Sequence, residues 1–563
     1  MSKPNNVKVA IVSNFTIKGL KEELEKKCNS LVVSAQFYEA GYDQIRQEFM
    51  DAASNLKKFS PDITFCMINA EFLFKDEEFA IIADKEERRE KIESIFEDFT
   101  GVVDHFLNNI SGTLVVSNVK QTTYTPLGIN EDKLEHSLKE WAALFNRKCK
   151  EKYLDMNRVR FFDLNAFFLK YGEYNVINPK LRYLGDIYID PDYMPKLAEE
   201  LMGYVKPFSS KNRKCIVLDL DNTLWGGIVG EDGFNNIKLD DKAPGNTFME
   251  FQKYLLGLHK KGIILAICSK NNEEDAMKVI KEHPYMVLRE EHFACIKINW
   301  DNKVNNIIEI AQEINIGLDS LVFIDDDPMN GAMVRENLPQ VLVVDLPKDS
   351  ALYVRTLKEI SDFNTMQLTK EDFQKGQMYY QQRKRTELKI KMKDIDDFLK
   401  NLNLEVKIEP ASDFTIPRIS QLTKKTNQFN LTTKRYTEED IRSFVNQSNF
   451  KVFSVGVKDK FGDNGLTGVL ILEMRKDEYI IDTLLLSCRI IGRNVEKVLL
   501  KYAVDVAKEE GVKKLVGLFT PSEKNVQVKR FYPDHGFTVI DEEHFELTDF
   551  DKVKKIEYIR VYG

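Results

Sequence analysis

The chain has 563 residues, 30% of them charged and 43% hydrophobic, with a formal net charge of -8. This length predicts several domains, and the mild acidity gives no support for nucleic-acid binding, which normally uses a basic surface. The sequence shows no signal-peptide core and no apolar stretch of membrane-spanning length, and its seven cysteines lack C-x-x-C spacing. We therefore expect a cytoplasmic protein with no membrane segment and no zinc site.

Residues 1–208 alternate strand-like apolar runs with amphipathic stretches, which predicts a first α/β domain of SGNH-like or flavodoxin-like type. The first strand ends at Ser13-Asn14, a position that resembles the serine block of the SGNH hydrolases. That family's G-D-S is absent from this strand end, and no D-x-x-H appears near the end of the domain, so we expect a binding or docking domain rather than a working esterase. The strand candidates are Val7–Val12, Asp62–Ile68, Thr113–Ser117 and Val159–Asp163.

Residues 209–365 carry four polar motifs, three of them directly after an apolar strand. Side chains two positions apart on a strand point the same way, so Asp219 and Asp221 face one site. Carboxylates that lie close together repel without a cation, and Mg²⁺ prefers such oxygen ligands. Strand–helix alternation predicts a parallel sheet with its site at the carboxyl ends of the strands. The motifs are Asp219-Leu220-Asp221-Asn222-Thr223, Ser269 after Gly262–Cys268, Lys303 at a helix start, and Asp325-Asp326-Asp327-Pro328 after Ser320–Ile324.

The order of these motifs resembles the haloacid dehalogenase (HAD) superfamily of phosphatases, with short linkers that predict a minimal cap. The resemblance implies that Asp219 is the nucleophile and Asp221 the general acid/base. It further implies that Ser269 binds the phosphoryl group and that Lys303 stabilises its charge. The implied Mg²⁺ site consists of Asp219, the backbone carbonyl of Asp221, and Asp325 or Asp326, between which the motif does not decide.

The rest of the chain predicts a linker and a third domain. The charged stretch Asp372–Leu402 predicts one long helix within a linker at 366–402, and residues 403–563 predict an α+β domain with an antiparallel meander. The predicted elements of this domain are the strands Leu404–Ile408, Phe450–Val457, Gly468–Arg475, Ile480–Ser487 and Lys555–Tyr562, and the helix Val495–Lys508.

A glycine-containing turn joins the fourth of these strands to that helix. Exposed backbone N–H groups and the helix dipole favour an anion at such a point. The turn resembles the R-x-x-G-x-G/A loop of the GNAT acyltransferases, which binds coenzyme A or a phosphopantetheine arm, although Asn494 replaces the last small residue. A GNAT-like shell without a cofactor is the alternative. The cofactor contacts that the resemblance implies are Arg489, Gly492, Arg493, Asn494, Asn525 and Tyr532.

The strings LDLDNTLWGGIVGEDG, ICSKNNE, FIDDDP and LSCRIIGR together resemble the FkbH-like proteins, HAD subfamily IIIC, over essentially the whole chain. This resemblance implies that a glyceryl unit is taken from 1,3-bisphosphoglycerate, dephosphorylated through an aspartyl-phosphate, and loaded as a thioester on an acyl carrier protein for polyketide biosynthesis. Cys488 is the thiol candidate because Arg489 and a helix N-terminus can lower its pKa; a buried structural cysteine is the other interpretation.

Two other functions remain open from the sequence. One is a phosphatase coupled to acyl transfer onto an amino sugar or another small acceptor in surface-glycan biosynthesis. The other is a protein in which only the phosphatase domain turns over, while the N-terminal and C-terminal domains serve as docking modules.

Overall fold

The computed structural model describes residues 6–31, 33–74, 84–121, 123, 125–209, 212–366, 368, 372–392, 394–522 and 524–563. The chain forms two compact units, one of Met1–Leu288 with Lys297–Phe373 and one of Arg289–Ile296 with Gln374–Gly563. The domain boundaries placed at 208, 365 and 402 from the sequence stay predictions. Among the described residues, no helix combines the length and the apolar character that a membrane span requires.

The first sheet has five parallel strands in the order β2-β1-β3-β4-β5. Its central strands are apolar and buried on both faces, as expected where helices cover both sides. The predicted α/β fold is confirmed, but the sequence does not single out β2, whose half-exposed residues break the apolar pattern. The strands are β1 (Val7–Ser13), β2 (Ala35–Glu39), β3 (Ile63–Met67), β4 (Thr113–Ser117) and β5 (Val159–Phe162).

Ten helices of the described chain surround this sheet. They are α1 (Leu20–Ser30), α2 (Ile45–Met50), α3 (Asn55–Phe59), α4 (Ala70–Phe74), α5 (Lys85–Asn109), α6 (Leu138–Tyr153), α7 (Leu164–Tyr171), α8 (Glu173–Val176), α9 (Pro179–Gly185) and α10 (Met194–Val205).

The second sheet has the strand order β10-β9-β6-β7-β8, and its pairs β6–β7, β6–β9 and β9–β10 are parallel. This arrangement confirms the predicted HAD-like parallel sheet, although the sequence does not single out β8 or β10. The strands are β6 (Cys215–Leu218), β7 (Ile264–Ser269), β8 (Phe293–Ile298), β9 (Leu321–Asp325) and β10 (Leu342–Asp345). The helices are α11 (Val229–Asp232), α12 (Gly245–Lys260), α13 (Glu273–Glu282), α14 (Lys303–Ile314), α15 (Pro328–Asn337) and α16 (Tyr353–Lys358).

The prediction of one long helix over Asp372–Leu402 is wrong. The structure has two helices here, α17 (Lys375–Lys391) and α18 (Ile395–Asn401). Met392 is extended (φ -99°, ψ 132°), and the Asp394 side chain accepts the N–H of Asp396 at 3.0 Å, which caps the start of α18. Asp and Asn side chains that bond to nearby backbone compete with helix continuation, and a charge-rich stretch does not show this from periodicity alone.

The third sheet is mixed, in the order β17-β18-β16-β15-β14-β13-β11-β19, with β12 paired to β15. Among the described residues, the pairs β15–β16 and β11–β19 of this sheet are parallel, and α21 buries its apolar face in the same core. The predicted α+β class is confirmed, but the last strand is shorter than predicted. The strands are β11 (Glu405–Pro410), β12 (Phe429–Asn430), β13 (Phe450–Asp459), β14 (Gly462–Arg475), β15 (Glu478–Leu486), β16 (Lys514–Leu518), β17 (Thr538–Val539), β18 (His544–Leu547) and β19 (Arg560–Tyr562); the helices are α19 (Ile416–Lys425), α20 (Glu438–Asn446), α21 (Val495–Glu509) and α22 (Phe531–Asp534).

Candidate active site

Three adjacent strands of the second sheet bring the predicted acidic motifs together. Asp219 follows β6, Ser269 ends β7 and Asp325 ends β9, and β6 lies between the other two strands. One carboxylate oxygen from each of Asp219, Asp325 and Asp326 lies within 4.8 Å of the others. The sequence therefore predicted this cluster correctly, because the carboxyl ends of parallel strands meet at one edge of a sheet.

Lys303 lies in the middle of this cluster. Its Nζ is 2.6 Å from Oδ2 of Asp325 and 3.0 Å from Oδ1 of Asp219. The side chain of Asn302 accepts the N–H of Val304 at 2.8 Å and so starts α14; this cap fixes Lys303 in the first turn, pointing into the site. An ammonium held at this point can neutralise charge on both a carboxylate and a bound phosphoryl group.

Burial and mutual repulsion alter the acidity of the cluster. The pKa of Asp219 is raised to about 6, chiefly by burial; Asp325 also acts to raise it, whereas Lys303 and the Ser269 hydroxyl act to lower it. Burial, together with Asp219 and Asp325, raises the pKa of Asp326 to about 6. Burial alone would lower the pKa of Lys303, but the two carboxylates beside it raise the pKa above its usual value. The lysine is therefore a permanent cation of the site.

The three carboxylates and Lys303 also fit a divalent cation. When all three are ionised, one ammonium leaves two negative charges without a counterion, and carboxylate oxygens are the ligands that Mg²⁺ prefers. Asp325 is further held by the N–H of Asp327 at 2.9 Å and by Nδ2 of Asn330 at 3.2 Å, both on Oδ1. Asp325 and Asp326 both belong to the cluster, and which of them contacts the metal stays open.

Asp221 lies outside the carboxylate cluster and has its own set of donors. Its Oδ1 accepts Nε1–H of Trp225 at 2.8 Å and N–H of Val229 at 3.1 Å, and its Oδ2 accepts Nδ2–H of Asn271 at 2.8 Å. Burial raises the pKa of Asp221, and these three donors oppose that shift. A carboxylate held apart from the metal ligands suits proton transfer. Sequence reasoning missed the supporting roles of Trp225 and Asn271, although both stand within the quoted motifs.

The glycine-containing turn that the sequence predicts before α21 is present in the C-terminal domain. Gly492 (φ 77°) and Asn494 (φ 62°) both adopt left-handed conformations directly before α21. Asn494 makes no side-chain cap to the helix; its Nδ2 instead donates to the Tyr558 hydroxyl at 2.5 Å. The buried Glu496 carboxylate instead accepts backbone N–H groups of Asn494 and Glu496 at the start of α21, so a negative charge of the chain itself lies where an anion would bind a helix N-terminus.

Arg493 points away from that helix end, into the domain interior. Its guanidinium lies 3.1 Å from Oδ2 of Asp459 and donates to Oε1 of Gln382 at 2.9 Å. Asp459 also accepts two hydrogen bonds from Arg385, at 2.6 and 2.9 Å. Arg493 thus ties the loop to α17 and to the end of β13. Its contact with a cofactor, like that of Arg489 in the same loop, stays a prediction.

The other predicted cofactor residues are also internal. The Asn525 side chain donates to the carbonyls of Asn430 and Thr520 at 3.0 and 2.9 Å, which fixes two loops. Tyr532 is buried among aromatic rings, and burial raises the pKa of its hydroxyl above its usual range. The side chain of Cys488 lies outside the part of the chain that the structure describes. The cofactor and thiol roles of these three residues stay predictions.

A short segment fills the gap where β15 and β16 separate. These strands pair as far as Ile481 and Gly517; beyond that point β12 pairs with the end of β15. The N–H of Leu431 donates to the carbonyl of Leu484 at 3.2 Å, and the carbonyl of Leu431 accepts the N–H of Thr520 at 2.8 Å. In this conformation the chain itself occupies the space between the two diverging strands.

Comparison with known proteins agrees with this architecture. Residues 8–206 match the family described as FkbH, N-terminal domain. This match confirms the resemblance to the FkbH-like proteins. No curated protein matches the chain.

Among solved structures, the chain is similar to the N-terminal part of the protein BF1531 from Bacteroides fragilis, which contains a phosphatase domain and was crystallised with Mg. The two are 28% identical with a TM-score of 0.60, over 64% of this chain and 95% of that one. An IAA acetyltransferase from Bacillus cereus is 20% identical over 25% of this chain and 96% of its own, with a TM-score of 0.19. A likeness of that size carries no weight, and the resemblance of the C-terminal domain to the GNAT acyltransferases stays a prediction.

Proposed function

We propose that this FkbH-like chain is a Mg²⁺-dependent phosphatase that also transfers the acyl group of its phosphorylated substrate. The observation that carries the phosphatase proposal is the placement of Lys303 between Asp219 and Asp325 in a buried cluster of three carboxylates. The phosphatase domain and the Mg of BF1531 support the same chemistry here. An exposed acidic patch would lack both the lysine and the burial that activate such a site.

In the proposed reaction, a carboxylate oxygen of Asp219 attacks the phosphorus of a phosphoester while the bond to the leaving oxygen breaks. Asp221 gives that oxygen a proton, then takes one from the water that hydrolyses the phosphoaspartate. The hydroxyl of Ser269 donates to a phosphoryl oxygen. Lys303 neutralises the charge that gathers on Asp219 and the phosphoryl group.

The Mg²⁺ would be held by carboxylates of Asp219, Asp325 and Asp326 and, as the HAD resemblance implies, by the backbone carbonyl of Asp221. When bound, it supplies positive charge that offsets the repulsion between an anionic phosphoester and an anionic nucleophile. Trp225, Val229 and Asn271 hold the Asp221 side chain in place by hydrogen bonds. The side chain is not among the proposed metal ligands, so it can transfer the proton to and from the reacting oxygen.

The proposed substrate is 1,3-bisphosphoglycerate, and the proposed acceptor is an acyl carrier protein, as the family resemblance implies. The thiolate of Cys488 attacks the acyl carbon, the C–O bond to the acyl phosphate breaks, and phosphate leaves. The resulting thioester passes to the phosphopantetheine thiol of the carrier, and the remaining ester phosphate is removed at Asp219.

The test combines the protein with Mg²⁺, 1,3-bisphosphoglycerate and a holo-acyl carrier protein, and follows the carrier by intact-protein mass spectrometry. Wild-type protein should give a glyceryl thioester, and Asp219→Asn should give the phosphoglyceryl thioester instead. Cys488→Ala should prevent loading without preventing phosphate release from other phosphoesters. Phosphate release by Asp219→Asn at the wild-type rate would refute the phosphatase assignment, and loading by Cys488→Ala would refute the thiol role alone.

A further inference from the structure

The segment Phe429–Tyr436, which we call the strap, closes the gap between the diverging strands β15 and β16 of the C-terminal domain. Strands that separate leave backbone N–H and C=O groups on their inner edges, and an extended chain can pair with such edges. Phe429 and Asn430 pair with the last two residues of β15, and Leu431 bonds to both sides of the gap. The strap therefore takes the position that an extended ligand would take in the sheet.

Buried side chains hold the strap in the gap. Phe429 is 4% exposed and Leu431 is fully buried. The ring of Phe429 meets the ring of Phe531 edge to face at 5.4 Å. Nδ2 of Asn525 donates to the carbonyl of Asn430 at 3.0 Å. Opening the strap would expose this apolar surface to water, so the closed form is the stable one when no ligand is bound.

The other end of the strap is bound by one residue, Asp482, and we call these contacts the latch. Asp482 follows the last residue of β15 that pairs with β16, and it is 4% exposed. Its Oδ2 accepts the hydroxyl of Tyr436 at 2.8 Å, and its Oδ1 forms an ion pair with Lys434. Its backbone carbonyl accepts the hydroxyl of Thr432 at 2.8 Å. The Thr483 hydroxyl, which is not part of the strap, also donates to Oδ2, at 3.0 Å.

One residue of the strap has a strained backbone. Thr433 has a φ of 52°, which lies in the left-handed region that β-branched residues avoid. The side chain of Asn430 stabilises this turn by accepting the N–H of Thr433 at 2.9 Å. Strained residues of this kind are frequent in segments that switch between two arrangements. The strain in Thr433 lowers the free energy that is needed to lift the strap from the gap.

We propose that the strap is an autoinhibitory segment, which the pantetheine arm of an acyl carrier protein displaces. The amide groups of the arm replace the backbone bonds that Leu431 makes to Leu484 and Thr520. The choice of this ligand rests on the proposed function, whereas the closed strap does not. Because the strap must open first, the apparent affinity for the arm is the intrinsic affinity reduced by the fraction of open protein.

The experiment measures pantetheine binding and hydrogen–deuterium exchange on the full-length protein. Pantetheine is uncharged and carries the amides of the arm without its phosphate. The test variant Lys434→Met/Tyr436→Phe removes the latch side chains and leaves the backbone edges of the gap intact. It should bind pantetheine at least about tenfold tighter than the wild type, because a buried Asp482 without these partners favours the open strap. In the wild type, saturating pantetheine should speed exchange of the amides in residues 428–436 by at least about tenfold.

The matched control is Lys451→Met/Tyr479→Phe. Lys451 and Tyr479 make the same two kinds of contact with another carboxylate of the domain, that of Glu510, at 2.6 and 2.5 Å. This variant should keep wild-type pantetheine affinity and wild-type exchange of the strap. Urea unfolding of both double variants separates an open strap from an unfolded domain. If the test variant does not fold, the response of the wild-type strap to pantetheine decides alone.

Three results would overturn the proposal. They are equal pantetheine affinity in the test variant and the wild type, pantetheine binding that leaves the strap protected from exchange, and no pantetheine binding by either protein. Phosphate release at Asp219 and loading of the carrier are measured separately and need neither readout. Loading of the carrier with a strap that stays protected would therefore refute the autoinhibitory role alone, and a strap that opens for pantetheine without loading would refute the acyl transfer alone.

Discussion

Lys303 and Asp325 form an ion pair of 2.6 Å whose side chains are only 3% and 1% exposed. A pair this deeply buried gains little net stability, because desolvating both charges offsets their attraction. The pair instead positions the Lys303 ammonium, whose Nζ also lies 3.0 Å from Oδ1 of Asp219. The geometry thus keeps a nucleophilic carboxylate ionised in a buried place that by itself favours the protonated form.

Lys303→Met should lower both activity and stability. The substitution leaves the buried carboxylates without their ammonium, so we expect phosphate release to fall by about 10²–10³-fold. The free energy of unfolding should fall by about 3–5 kcal/mol, and Mg²⁺ should restore part of it. Lys297→Met is the control, because that lysine pairs with two glutamates at the surface and should cost less than about 1 kcal/mol. Wild-type turnover in Lys303→Met would contradict the role of the ammonium.

Mg²⁺ affinity should rise as the pH rises through 6. Burial raises the pKa values of Asp219 and Asp326 to about 6, so both carboxyls are largely protonated below that pH and ionised above it, and only the ionised form binds the metal. Without metal, the same shift makes the folded state lose stability as the pH rises from about 4 to above 6, since the unfolded carboxyls ionise first. The Tm increase on adding Mg²⁺ should therefore be larger at pH 8 than at pH 5, and an equal increase at both would contradict the assignment.

Asn271→Ala should slow the proton-transfer steps selectively. It removes one of three donors to Asp221, and a hydrogen bond to a charged group contributes about 1.5–3 kcal/mol. We expect kcat to fall by about tenfold or more with KM little changed, and the high-pH limb of the kcat profile to move upward because the ionised carboxylate is less stabilised. The adjacent Asn272→Ala removes only the cap of α13 and should cost about 1 kcal/mol of stability with kcat intact. Equal kcat values for the two variants would contradict this role.

Asp459→Ala should destabilise the C-terminal domain more than any surface charge change. Its fully buried carboxylate holds Arg385 and Arg493, and its loss leaves two buried guanidiniums without a counterion. We expect about 3–5 kcal/mol of lost stability, measured by urea unfolding. Glu409→Gln is the control, because its partner Lys407 is exposed, and it should change stability by less than about 0.5 kcal/mol.

Apolar periodicity in the sequence predicted the fully buried strands well and the partly exposed elements poorly. Strands such as β6, in which every residue is buried, carry an unbroken apolar run that is visible in the sequence. By contrast, β2 is half-exposed along its length, and the break between α17 and α18 depends on a local side-chain cap at Asp394. Such features have no periodic signal, so the sequence did not reveal them.

The residues of the candidate site were also predictable from the sequence only in part. The motifs identified Asp219, Asp221, Ser269 and Lys303, since strand ends followed by polar residues are readable in order along the chain. The sequence did not show that Arg493 points inward to Asp459, because that contact joins residues 34 positions apart. Side-chain direction in a loop follows from what packs behind it, and this is absent from a local pattern.

By itself, the sequence determined the fold classes, the phosphatase motifs and the resemblance to the FkbH-like proteins, because apolar periodicity and polar residues at strand ends are local along the chain. Only the tertiary structure decided that Asp325 and Asp326 share one cluster with Asp219, and that Trp225 and Asn271 hold Asp221. Charge compensation and hydrogen bonding depend on distances of a few ångströms between residues far apart in sequence, and those distances exist only once the sheets have formed.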